Sequence, residues 1–379
     1  MGAVPPRLSV ATDIAVEPLP QSSPNSIAKH HSLMTIETWQ NQIKAAAARG
    51  DKLTIRGSGS KSFLVPDVRC EVLDTRAHAG VVEYDPKELV IVVRCGTPIA
   101  EVEQAMAAAN QMLAFEPCHF GERATIGGMV ASSLSGPRRP YAGAVRDFVL
   151  GCKVLDGKGD HLSFGGKVMK NVAGFDVSRL ITGSMGTLGV ITEASFKCLP
   201  LPKAQQTRVF EMDAKSAIVA MNRWYAEANP VTATTWVNGK LYVRLAGAEP
   251  SVNSAVAKLG GEALANAVEW WRDWREQTHA FFVGEGPLSR VSCKSTASFA
   301  DQDAPQAIDW GGAQRWLRVP FVALPTIREW ARSNGGHATV FRGATSQHER
   351  IEPLQPALAE VSQKIKASFD PYNVFPSLP

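Results

Sequence analysis

The chain has little that would place it in a membrane, on nucleic acid or around a metal. No run approaches the roughly 18 consecutive apolar residues of a membrane span. The stretch from Met1 to about Ser32 has no basic start followed by an apolar segment, so no secretory signal is expected. Formal charge is only +4 over 379 residues, without the concentrated basic face that nucleic-acid binding requires. The six cysteines (Cys70, Cys95, Cys118, Cys152, Cys198 and Cys293) are dispersed, with no C-x-x-C and no close Cys/His cluster. That spacing excludes an iron–sulfur cluster or a structural zinc held by this chain alone, and no metal site is expected. Reduced, mostly buried thiols in a cytoplasmic protein are the expectation.

What is present is an ordinary globular composition, 45% hydrophobic and 20% charged, in a chain long enough for two domains with sizeable cores. The Pro- and Ser-rich residues 1–32 read as a flexible tail. A helix is expected over 38–49, an alanine-rich run ended by Gly50. Strands are expected at 53–55, 71–74 and 89–93. Thr97 reads as the N-cap of a helix through Asn110, with Pro98 at its first position. Residues 151–155 and 161–164 read as a hairpin closed by Asp156-Gly157-Lys158-Gly159, 176–182 as a helix and 190–199 as a strand. The paired prolines of Leu199-Pro200-Leu201-Pro202-Lys203 break ladders and helices alike and mark a domain boundary. Beyond it, strands are expected at 231–236 and 241–245, and helices at 254–259, 264–279 and 354–368.

Glycine supplies the densest signal. It recurs among apolar β-formers in Ala124-Thr125-Ile126-Gly127-Gly128, in Ser135-Gly136-Pro137, in Asn171-Val172-Ala173-Gly174 and in Gly183-Ser184-Met185-Gly186-Thr187-Leu188-Gly189-Val190-Ile191. Backbone lacking a Cβ can approach a ligand closely, and its exposed N–H groups form concave anion sites suited to a pyrophosphate. Arg56-Gly57-Ser58-Gly59-Ser60-Lys61 is a further loop of this kind. It is not a nucleotide P-loop, because Ser60 precedes the lysine where that motif needs glycine. Nor is it a Rossmann turn, because Ser62 takes the place of the third glycine.

In order and wording these segments resemble the FAD-binding domain of the vanillyl-alcohol oxidase and p-cresol methylhydroxylase flavoproteins. Gly136-Pro137-Arg138-Arg139-Pro140-Tyr141-Ala142-Gly143 and Lys167-Val168-Met169-Lys170-Asn171-Val172-Ala173-Gly174-Phe175-Asp176 narrow the resemblance to the smaller FAD-binding subunits of bacterial glycolate oxidases. Phe175 stands where that family usually has Tyr. The resemblance implies an α+β fold, with a two-part FAD-binding domain over 33–203 that splits near residue 113. A smaller α+β cap domain over 204–348 follows, and 349–379 packs back on the FAD domain. It also implies site residues. Arg56, Gly57, Ser58, Gly59, Ser60 and Lys61 would meet the FAD phosphates. Thr125, Gly127 and Gly128, continued by Ser132, Ser133 and Gly136, would meet the cofactor through amides and hydroxyls. Gly189, Val190 and Ile191 would lie near the adenine or ribose, and His119 near the flavin. Many members tether FAD through a histidine of the first loop, but no His lies between Asp51 and Arg76 and no Cys lies in that loop. Non-covalent FAD is therefore expected.

Oxidation of a 2-hydroxy acid takes a cation for the carboxylate, a base for the hydroxyl proton and a hydride acceptor. Relatives that perform it carry Gly-His-x-Gly-Asp-Gly-Asn-x-His in the second domain. The nearest stretch here is Gly335-Gly336-His337-Ala338-Thr339-Val340-Phe341-Arg342, which lacks the Asp, the Asn and the second His. His337 as base and Arg342 as carboxylate clamp are the catalytic candidates. Three functions remain open. One is the FAD subunit of a glycolate oxidase or dehydrogenase complex that makes glyoxylate, with a larger FAD-binding catalytic subunit and an iron–sulfur subunit as partners. Membrane association would then be peripheral, at the inner face and through those partners. The second is a free-standing FAD-linked dehydrogenase of the D-lactate type, and the third a scaffold whose flavin is structural. Trp270, Trp271 and Trp274 cannot all face one narrow helical stripe, so they read as domain core or, with one exposed, as a subunit contact. Arg138 and Arg139, between prolines, read as a solvated turn.

Overall fold

The computed structural model describes residues 24–65, 70–167, 176–299 and 304–377; the expected motif over 168–175, including Phe175, lies outside them. The first helix, α1 (Pro24–Arg49), begins well before Thr38 and takes in residues 24–32 of the expected tail. Ile36, Trp39, Ile43 and Ala46 are buried on it at intervals of three and four residues, one continuous stripe. Gly50 ends it with a φ of +71°, the left-handed conformation that favours glycine at a helix terminus.

Strands β1 (Leu53–Arg56) and β2 (Glu71–Asp74) pair in parallel. An antiparallel sheet follows, built from β3 (Val81–Asp85), β4 (Val90–Arg94), β6 (Val149–Leu155), β7 (His161–Gly165) and β8 (Val190–Lys197), in the order β3-β4-β8-β6-β7. Its inner strands are apolar because they are covered on both sides, and Ile91, Val93, Val154 and Phe196 are fully buried. Between β4 and β6 the helices α2 (Ile99–Ala108) and α3 (Ile126–Ser132) pack into this core. Thr97 is not the cap of α2. Its Oγ1 accepts from the Gly80 N–H at 2.8 Å and donates to the Arg94 carbonyl at 2.8 Å, which spends the hydroxyl on the preceding loop. The short strands β5 (Gln111–Met112) and β9 (Leu199–Pro200) pair, so Pro200 sits at the end of a ladder instead of breaking one.

The second half is an eight-stranded antiparallel sheet. Its members are β10 (Ala204–Glu211), β11 (Val231–Val237), β12 (Lys240–Gly247), β13 (Glu262–Ala263), β14 (Leu288–Ser292), β15 (Gln306–Asp309), β16 (Gln314–Arg318) and β17 (His337–Arg342), in the order β13-β10-β12-β11-β15-β16-β14-β17. One face is covered by residues 214–226 and 249–259, both helical. The other face carries Trp270, Trp271, Trp274, Phe281, Phe282, Trp316 and Phe341, and packs directly on Leu64, Cys118 and Leu134 of the first half. All three tryptophans of the 267–276 helix are therefore core and none is an exposed contact. Two of the indole N–H groups are paired with the sheet: Trp271 Nε1 donates to Thr207 Oγ1 at 2.9 Å, and Trp274 Nε1 to Asp309 Oδ2 at 3.0 Å.

Arg138 is not in a solvated turn either. It is buried beside Glu116, whose carboxylate also takes Arg244 of β12 at 2.7 Å. Burial favours protonation of Glu116, but Arg244 and Arg138 outweigh it and hold the carboxyl below its usual range. Arg139 is half-buried, its guanidinium 4.3 Å from the centre of the Trp310 ring. At the C-terminal end the chain returns to the first core: Val374 and Phe375 are fully buried there, and the Leu53 N–H donates to the Val374 carbonyl.

Candidate functional site

The loop leaving β1, the start of α3, the turn before β8 and the C-terminal return converge on one elongated cleft. Its larger chamber has a volume of about 850 Å³ and its narrower extension about 120 Å³. Ile55, Gly57, Gly128 and Met185 line both parts. Of the residues expected at a cofactor, Arg56, Gly57, Ser58, Gly59, Ser60, Lys61, Thr125, Gly128 and Ser132 line the chamber, and Gly127, Gly189 and Ile191 the extension.

Four do not. Val190 is fully buried, because alternation along β8 turns it away from the face that Gly189 and Ile191 present. Ser133 terminates α3 in the left-handed conformation, its N–H returned to the Met129 carbonyl. Gly136 lies under Glu116 and its carbonyl accepts from Trp310 Nε1 at 3.1 Å. The His119 ring turns to Glu103, Nε2 lying 3.1 Å from the carboxylate, and only its backbone reaches the cleft side, accepting from Lys61 Nζ at 3.0 Å.

Among the described residues the cleft wall carries three cations, Arg56, Lys61 and Arg350, and no carboxylate, imidazole or thiol. Hydroxyls of Ser58, Ser60, Ser62, Thr125, Ser132, Thr345 and Ser346 stand among them. Burial lowers Lys61 to about 8, with Cys118 and Glu276 opposing that shift. Burial likewise lowers Arg350. A multiply charged anion with hydroxyl-rich surroundings would neutralise these groups, which suits a pyrophosphate.

The glycines divide into two kinds. A Cβ on Gly59, at φ +77°, would meet nothing within 4 Å, and one on Gly128 would meet only Thr125 Oγ1 at 3.4 Å. These two face open cleft. A Cβ on Gly127 would press on Cys95, one on Gly136 on Glu116, and one on Gly189 on the Leu155 carbonyl. Those three are needed by the protein's own packing, and the sequence does not separate the two kinds. It also missed Ala344, Thr345, Ser346 and Arg350, which reach the chamber from the second half without any motif.

The catalytic candidates do not converge. His337 opens β17 and Arg342 closes it, which puts them about 16 Å apart along an extended strand. Burial and the neighbouring Arg290 lower His337. Arg342 is already engaged, donating to Gln277 Oε1 at 3.0 Å with its guanidinium 3.9 Å from the centre of the Phe63 ring. One small acid cannot be gripped by both.

A family model described as an FAD binding domain matches residues 33–165. The chain is 45% identical over 334 residues to the glycolate oxidase subunit GlcE of Escherichia coli, covering 88% of this chain and 94% of the relative. The glycolate oxidase subunit GlcD of Bacillus subtilis is 35% identical over 127 residues, 34% of this chain and 27% of that one. A D-lactate dehydrogenase of Archaeoglobus fulgidus is 33% identical over 144 residues, 38% of this chain and 32% of that one. Among solved structures, alkyldihydroxyacetonephosphate synthase superposes with a TM-score of 0.62 at 16% identity, over 89% of this chain and 74% of that one. That likeness shows the fold, the p-cresol methylhydroxylase type of FAD-binding architecture. With 45% identity to GlcE over 88% of its length and an FAD-binding domain laid around the cleft, the chain belongs to the GlcE family of glycolate oxidase subunits and is an FAD-dependent oxidoreductase.

Proposed function

We propose that this chain is the non-covalent FAD subunit of a glycolate-oxidising complex, receiving electrons from a 2-hydroxy acid and passing them to an iron–sulfur partner. The observation that carries the reading is the cleft itself: among the described lining residues, three cations, many hydroxyls and no histidine or cysteine able to form a covalent flavin link. When bound, FAD supplies the two-electron acceptor. Arg56 and Lys61 would hold its phosphates, Gly59 and Gly128 would leave room for them, and Arg350 with Thr345 would close the chamber from the second half. Dispersed cysteines leave onward transfer to a second chain. The separation of His337 from Arg342 favours substrate oxidation on, or completed by, the larger FAD-binding catalytic subunit.

The test is direct. The purified chain is expected to be yellow and to release free FAD on acid precipitation. Anaerobic glycolate is expected to reduce flavin only after the partner subunits are added. Flavin that stays on the denatured polypeptide would refute the non-covalent assignment.

A further inference from the structure

The loop that follows Cys118 is held from both sides by charge. Glu276, at the end of the tryptophan-bearing 267–276 helix, accepts from the backbone N–H of His119 at 3.1 Å and of Phe120 at 2.7 Å. The second of these N–H groups belongs to the peptide whose carbonyl, that of His119, accepts from Lys61 Nζ at 3.0 Å. A single peptide unit therefore lies between a carboxylate at its N–H and an ammonium at its C=O. Both hydrogen bonds are charge-assisted, and each polarises the amide in the direction that strengthens the other. The turn is costly, with Phe120 at φ +52°, a conformation bulky residues rarely adopt. Glu276 is itself fixed: Arg275 Nε donates to it at 2.7 Å, and Arg275 and the His119 ring both face Glu103 of α2.

We propose that Glu276 is a positioning residue for the cofactor, holding the Lys61 ammonium in the cleft through the His119–Phe120 peptide. The proposal rests on the reading that FAD phosphates bind beside Lys61. Among the described residues, Ser60 Oγ, at 3.4 Å, is the other polar contact of the Lys61 ammonium. The other groups around it among the described residues are Cys118, the Phe120 ring at 5.7 Å and Arg342, which shares that ring, with Arg56 and Arg350 lining the same chamber. None of these can replace a carboxylate. The arrangement makes cofactor affinity depend on the docking of the second half, since Glu276 lies in that half and Lys61 in the first.

FAD affinity of the full-length chain, followed by flavin fluorescence from about pH 6 to about pH 10, tests this. Lys61→Met is expected to weaken binding about tenfold or more and to flatten the alkaline fall in affinity. Glu276→Gln is expected to weaken binding and to move the alkaline midpoint to lower pH, because a carboxylate that favours charged Lys61 is gone. The double variant should bind no worse than Lys61→Met alone. An unmoved midpoint in Glu276→Gln with additive losses in the double variant would overturn the positioning role while leaving the cleft reading intact. Unchanged affinity in Lys61→Met would overturn both. If Glu276→Gln does not fold, Glu276→Asp, which keeps the charge but shortens the reach, is expected to weaken binding with little movement of the midpoint and no further loss in combination with Lys61→Met; additive losses there would overturn the positioning role.

Discussion

Gly57 and Thr125 touch across the floor of the cleft: a Cβ on Gly57 would collide with Thr125 Oγ1. The two loops expected to meet the cofactor are thus packed on each other before any ligand arrives, and Thr125 Oγ1 also accepts from the Gly128 N–H at 3.3 Å. This closeness separates two glycine substitutions that the sequence treats alike. Gly57→Val should destabilise the folded chain and lower its melting temperature. Gly128→Val should leave melting of the apo-protein nearly unchanged, because its Cβ points into open cleft, yet cost several kcal/mol of FAD affinity through blocked space and lost phosphate bonds. Thermal melts with a fluorescence titration distinguish them, and a Gly128→Val chain with unaltered FAD affinity would show that the cofactor lies elsewhere.

The Glu116–Arg138–Arg244 cluster joins the two halves with buried charge. Removing one partner of such a group leaves the others uncompensated, which costs about 3–5 kcal/mol. Glu116→Ala, which strands two arginines, is expected to destabilise within that range in urea unfolding. A loss under about 1 kcal/mol would mean that water reaches the arginines once the carboxylate is gone.

Acid sensitivity should report on His78. Its ring is buried edge-on to Trp39, 5.4 Å between centroids. Burial, with Arg94, His161 and Lys153 adding to it, lowers His78 to about 4. The folded value lies below the unfolded value of about 6.5, so the unfolded chain binds more protons in that window. Stability is therefore complete above about pH 6.5 and declines as pH falls towards 4, by on the order of 3 kcal/mol. His78→Gln should flatten that part of the stability–pH curve; an equally steep decline in the variant would move the cause to other groups.

Much of this architecture was legible in the sequence. The hairpin of β6 and β7, the helix capped by Asp176 and the strands β11 and β12 of the second sheet follow from turn residues and alternation, which are local signals. The cleft was legible because its floor is made of glycine loops. For the three tryptophans the sequence left domain core and subunit contact both open, because the choice depends on a helix covered on more than one side by partners distant in sequence. The same holds for Arg138, whose flanking prolines read as a surface turn until Glu116 and Arg244 are placed beside it. Glu276 and its contacts with His119 and Phe120 span more than 150 residues, and no periodicity records such a pair.

The chain on its own should not be reduced by glycolate at a rate matching the complex. A 2-hydroxy acid must be held by its carboxylate and relieved of a proton while its C–H faces the flavin. The residues available for those tasks are dispersed: His337 and Arg342 stand at opposite ends of β17, and Arg342 is stacked on Phe63 and bonded to Gln277. Among the described lining residues there is no carboxylate or imidazole, and Lys61, whose low value would otherwise suit a base, donates to the His119 carbonyl. Positioning lost in this way is worth several kcal/mol of barrier, hence orders of magnitude in rate. Stopped-flow mixing of the FAD-loaded chain with glycolate or D-lactate should show flavin bleaching far slower than turnover of the assembled complex. His337→Ala should leave that slow rate unchanged. Rapid bleaching by the isolated chain would sink the idea, and its loss in His337→Ala would assign the base to His337 after all.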